Sequence, residues 1–114
     1  MSKFGLYSDK SSEPIQFESH LEGLKEEIKT LLFSLRNFVK SLSNNILEEV
    51  RPHRIVYAKT LTFRTFLDIQ PRNDSLMISV KKGRTEPPTM YIIRTPQELE
   101  HIEFEITEAY KRIK

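Results

Sequence analysis

The hydrophobic period changes twice along this chain, and that change restricts the fold more than any other feature. From Leu21 the apolar residues fall at 21, 24, 28, 31, 32, 35, 38, 39 and 42, the spacing that lines one face of an amphipathic helix. From His53 the period becomes two. The stretches HRIVYAK (53–59), LTFRTFLDIQ (61–70), SLMISVKK (75–82) and MYIIR (90–94) are short and rich in β-branched and aromatic residues, the composition of strands. The helical period then returns, with Leu99, Ile102, Ile106, Tyr110 and Ile113 on one stripe. This order predicts an α+β fold: a single layer of about four antiparallel strands, covered on one face by an N-terminal long helix and a C-terminal helix.

The punctuation between these runs fits the same plan. Ser19 followed by Glu22 has the form of a capping box, and Gly23 would break the first helix into a short piece and a long one. Residues 41–45, SLSNN, stop it, because Ser and Asn compete for backbone hydrogen bonds. In QPRND, Pro71 suits the first central position of a tight turn between the second and third strands. The proline pair in KKGRTEPPT marks a longer loop. Thr95-Pro96-Gln97-Glu98 combines an N-cap, a first-turn proline and a glutamate at N3. Glutamates follow in the first half of that helix and Lys111, Arg112 and Lys114 at its end, as the helix dipole favours. Residues 1–16 read as a flexible tail whose end is pinned by Ile15 and Phe17, and 17–114 as a single α+β domain.

Several function classes drop out. The chain has no cysteine, which removes disulfides and thiolate metal sites. Its three glycines, at 5, 23 and 83, are isolated, so no glycine-rich loop can wrap a phosphate. No apolar run exceeds five residues, and the polar start MSKFGLYSDKSSEP lacks the apolar stretch of a signal peptide. The expectation is a cytoplasmic protein with no membrane partner and no cofactor.

HLEGLKEEIKTLLFSLRNFV, HRIVYAK, FLDIQPRNDSLMISV and the closing ITEAYKRI together resemble an uncharacterised bacterial and archaeal domain family. That family carries the label "predicted transport protein" and is found alone or fused to restriction-endonuclease-like domains. IVYAK stands for its first strand, Phe66 to Pro71 for its second and Ala109-Tyr110 for its terminal helix, over residues 18–113. The KKGRTEPPT loop is shorter than the glycine-rich insertion of the family. The resemblance implies an α+β fold, no established activity and a nucleic-acid-processing neighbourhood.

Candidate chemistry is sparse. Glu98, His101 and Glu105 share a helix face with di-iron-like spacing, but no second such motif faces them; surface pairing explains them as well. Asp68 and Asp74 lie on or beside strands without the acidic-x-Lys partner of a metal-dependent nuclease, and the Glu27-Ile28-Lys29 triplet falls in a helical pattern. No nucleophile elbow or histidine triad is present.

Charge gives the one functional lead. The net charge is only +2, yet residues 51–94 hold nine Lys/Arg and three Asp/Glu, while both flanks are mildly acidic. Strand parity puts Arg64, Phe66, Asp68 and Gln70 on one face. Arg64 and Phe66 of that face, with Arg54, Lys59, Arg72, Lys81, Lys82 and Arg84, would form a nucleic-acid contact, cations on phosphates and Phe66 stacking on bases. A solvated polar face, with lysines guarding strand edges, would carry the same residues. The expectation is therefore a small non-enzymatic binding or accessory domain for DNA or RNA. The alternative is a homo-oligomerising (dimer) or protein-partner module, using exposed Phe66, Met77 or Tyr91 or an open sheet edge.

Overall fold

The computed structural model describes residues 15–60, 64–83 and 85–113. A short 3-10 helix, Phe17–Leu21, leads into α1, Glu26–Ser41. Five strands follow: β1 Ile46–Val50, β2 Ile55–Lys59, β3 Thr65–Arg72, β4 Ser75–Val80 and β5 Thr89–Ile93. The helix α2, Pro96–Arg112, closes the chain. The strands form one antiparallel sheet in sequence order, β1-β2-β3-β4-β5. The expected α+β class is present, with a fifth strand. Of the expected tail, only Ile15 and Gln16 fall within the described residues.

One sheet face carries Ile55, Tyr57, Leu67, Ile69, Leu76, Ile78, Val80 and Ile93. They pack in one core with Ile28, Leu31, Leu32, Leu35 and Val39 of α1 and Leu99, Ile102, Ile106 and Ala109 of α2. Phe17 closes the same core beneath α1. Each such side chain withdrawn from water contributes roughly 1.5–3 kcal/mol before entropy is counted, so the helices are held by their stripes rather than by intrinsic helicity. The other face of the sheet has no helix over it among the described residues.

Four local expectations need correction. Ser19 and Glu22 form no capping box: Ser19 lies inside the 3-10 helix, and the N-cap of α1 is Lys25, without a side-chain cap. Gly23 does separate the two helices, at φ 81°, a left-handed conformation that favours a residue without Cβ. Pro71 is not a turn residue. It pairs with Leu76 inside the β3–β4 ladder, and Asn73-Asp74 makes the two-residue turn. Asn73 then holds the entry to α1: its side-chain amide donates to the Gly23 carbonyl (2.8 Å) and its own carbonyl accepts from the Lys25 N–H (3.0 Å).

The other two corrections concern strands. Residues 46–50, ILEEV, add a strand to the expected four: they form β1, paired with β2 from Ile46↔Lys59 to Val50↔Ile55. In β3 the parity is interrupted. Tyr57 pairs with Leu67 but Ala58 pairs with Thr65, so Phe66 is the extra residue of a β-bulge, which re-aims its side chain. Phe66 and Leu67 are both 0% exposed, and Phe66 meets the Tyr110 ring of α2 edge-on at 5.4 Å. By contrast, the cap of α2 matches expectation. Thr95 accepts from the Glu98 N–H, Glu98 accepts from the Thr95 N–H (both 3.2 Å), and Pro96 opens the helix.

Candidate interaction surface

The residues singled out for a nucleic-acid contact do not share one open face. Phe66 is inside the core, which removes it as a stacking or exposed contact residue. Arg54 donates to an Asp68 carboxylate oxygen at 2.8 Å. The Lys59 ammonium turns towards α2, donating to the Ile113 carbonyl at 2.7 Å and lying 4.5 Å from the centre of the Tyr110 ring. Lys82 pairs with Glu105 of α2, an attachment that holds its ammonium in the charged form. Arg64 and Lys81 are half-buried, and Arg72 is exposed beside the β3–β4 turn. Arg84 lies outside the described residues. Much of the basic excess is thus spent on contacts within the fold.

The second face is apolar at its two sides but only partly open. The register places Leu47, Val56 and Ala58 on one side, where Val56 and Ala58 are buried and Leu47 is exposed, and Met77, Met90 and Ile92 on the other. Between them lie Asp68, Gln70 and Ser79. Met90 and Ile92 are each 52% exposed and Leu47 40%. Tyr91 sits on the helix-covered side, half-buried against the core. Met90 and Ile92 escaped attention in the sequence, although the signal was there: residues 87–93, PPTMYII, form an uncharged stretch in a chain that is 30% charged.

The two edges of the sheet differ in charge. At β1, Glu48 points to the helix side and is held by three side chains. Arg36 of α1 donates to both of its carboxylate oxygens (2.8 and 2.9 Å), the Tyr57 hydroxyl donates at 2.7 Å, and Lys40 lies at 3.4 Å. Burial alone would raise the Glu48 carboxyl, but the Arg36 and Tyr57 hydrogen bonds and the nearby cations outweigh it and hold the group below its ordinary value. Burial, then the Glu48 contact, pushes the Tyr57 hydroxyl far above its own. Arg36 also lies 4.1 Å over the Phe17 ring, so one guanidinium joins α1, β1 and the 3-10 helix. Glu49, exposed on the same strand, pairs with Arg51 at 3.0 Å. The β5 strand, TMYII, has no charge at all.

Among the described residues, the clefts elsewhere bring together no catalytic set. A cavity of about 450 Å³ at the turn end of the sheet brings together His20, Glu22, Pro52, His53, Gln70 and Arg72. His20 is tied to the Arg51 carbonyl at 2.7 Å, and among the described residues no carboxylate is hydrogen-bonded to His53 to orient its imidazole. Of the Glu98, His101 and Glu105 set, Glu98 caps α2 and Glu105 holds Lys82. Among the described residues no group of three His, Cys, Asp or Glu converges on a metal position. A shallower groove of about 350 Å³ runs between β5 and α2, lined by Tyr91, Ile93, Gln97, His101 and Ile102 among others. Among the described residues no helix is long and apolar enough to cross a membrane. Compared with protein-family models, with curated proteins and with solved structures, the chain matches none.

Proposed function

We propose that the protein is a small non-enzymatic interaction module that associates with itself through the β5 side of its sheet. The observation that carries this reading is the pair Met90 and Ile92, each half exposed on a strand without charge at the sheet border. Natural sheets guard exposed edges with charges, prolines or bulges, because an uncharged edge templates pairing with another chain. The β1 border has such a guard in the exposed Glu49 and its partner Arg51; β5 has none within its five residues.

This reading is favoured over a DNA or RNA contact because three of the cations proposed for that contact, and its one aromatic, are engaged within the fold. Arg54, Lys59 and Lys82 have partners in the fold, and Phe66 cannot stack on a base from inside the core. Sedimentation velocity over a wide concentration range tests the proposal. The 13.5 kDa chain is expected to move towards twice its mass as concentration rises into the hundreds of micromolar. A monomer throughout that range overturns it. Fluorescence anisotropy with labelled DNA and RNA at two salt concentrations separates the rival: binding that weakens steeply with salt would return the basic residues to the centre.

A further inference from the structure

We propose that two copies of the chain join through β5, each strand lying antiparallel to its copy about a two-fold axis at Tyr91, so that two five-stranded sheets become one. This rests on the self-association reading above and gives it a geometry.

The edge is chosen by charge. Pairing β1 with its own copy about its centre would set the Arg36–Glu48–Lys40 cluster, two cations to one carboxylate, against its own copy, and like charges opposed across strands are destabilising. Pairing β1 of one copy with β5 of the next would not close and would run on as a filament. Pairing β5 with itself closes at two copies. About Tyr91, Thr89 meets Ile93 of the second copy and Met90 meets Ile92, so the half-exposed Met90 and Ile92 side chains cover each other on the open face.

The flanking charges select the antiparallel direction. Glu86 precedes β5 and Arg94 follows it. In the antiparallel arrangement Arg94 comes opposite Pro88 of the second copy, on the diagonal to Glu86, within reach of a long side chain. A parallel copy would bring like charges together instead. Glu86 has a loose hold within its own chain, 3.8 Å from the half-exposed Arg112. Pro87 and Pro88 lack an N–H and end the ladder, which keeps the overlap to the five residues of β5. On the helix side, the groove between β5 and α2 faces its counterpart, and Phe104, 66% exposed and three residues beyond His101, extends its apolar wall. An overlap this short makes a weak, concentration-dependent dimer rather than an obligate one.

The absence of cysteine allows a direct geometric test. A Tyr91→Cys chain places its new thiol on the two-fold axis. Opposed residues of an antiparallel pair have Cα atoms about 4.5–5.5 Å apart, inside the range a disulfide spans. A Thr89→Cys chain places the two thiols four residues apart along the ladder, about 14 Å. Under mild oxidation Tyr91→Cys is expected to cross-link at least an order of magnitude faster than Thr89→Cys. Equal rates would overturn the register. Because Tyr91 is half-buried, a charge series provides a second readout on exposed positions: Arg94→Glu and Glu86→Arg should each weaken the dimer by about fivefold, and the double swap should restore it. A parent chain that stays monomeric removes the self-association reading itself. A parent that dimerises while Tyr91→Cys stays unlinked and the charge series has no effect removes only the β5 geometry.

Discussion

Arg36 grips both carboxylate oxygens of Glu48, and through that pair α1 is fastened to the β1 border of the sheet. The pair is mostly shielded from water, with the Glu48 side chain 12% exposed. It is more than a surface ion pair, because Glu48 also satisfies the Tyr57 hydroxyl. Removing the carboxylate charge strands two donors at once.

Glu48→Gln is therefore expected to cost about 2 kcal/mol at neutral pH, measured by urea unfolding. The pH dependence has a fixed sign. The folded-state carboxyl lies below its ordinary value of 4.5, so its stabilisation is present above that value and is lost as pH falls through the folded one. The parent should lose stability steeply on acidification in that window, and Glu48→Gln should show a shallower slope. Equal slopes would mean that Glu48 is not the group being protonated. Glu103 acts in the opposite sense: burial, then Glu100, raises its carboxyl, so protonation relieves a penalty, and Glu103→Gln should slightly stabilise the fold at neutral pH.

Phe66→Ala is expected to cost about 3–5 kcal/mol, a large part of the roughly 5–15 kcal/mol that holds a domain of this kind together. The reason is position: the ring is fully buried and meets Tyr110 edge-on. A surface aromatic used for base stacking would give a different result, with near-parental unfolding and weakened nucleic-acid binding. Thermal unfolding followed by circular dichroism separates the two.

What was legible in the sequence was local. The α2 cap needs Thr95, Pro96 and Glu98 within one turn, and the apolar stripes repeat within each helix, so both could be read without knowing what they pack against. What was not legible depended on distant partners. The strand at 46–50 is hidden because Glu48 sits where an apolar residue belongs; the groups that satisfy it, Arg36 and Tyr57, are twelve and nine residues away. The parity of Phe66 was misread because a bulge is a property of two paired strands, and one strand's alternation cannot reveal it. The basic excess was counted correctly, but counting could not show that Lys59 and Lys82 face α2.

Gly23→Ala tests the junction before α1. A Cβ at this position meets nothing within 4 Å, so no clash is involved. The cost comes from the left-handed backbone alone, about 1–2 kcal/mol. Gly23→Asn should cost less, since a short polar side chain tolerates that conformation. Chemical denaturation of the two variants should rank them in that order. Equal losses would point instead to the hydrogen bond between the Gly23 carbonyl and Asn73.

Met90→Lys with Ile92→Lys separates folding from association. Both side chains are half exposed, so unfolding free energy should change by no more than about 0.5 kcal/mol. Across the two-fold axis at Tyr91 each new lysine would oppose another, because Met90 of one copy meets Ile92 of the second. Self-association should then disappear at every concentration where the parent dimerises. Leu47→Lys is the matched control: it lies on the same open face and is 40% exposed, but at the β1 side. Sedimentation velocity should show the parental dimer for Leu47→Lys and a monomer for the double variant. If Leu47→Lys abolishes the dimer as well, the whole open face is the contact, and two sheets would pack face to face instead of edge to edge.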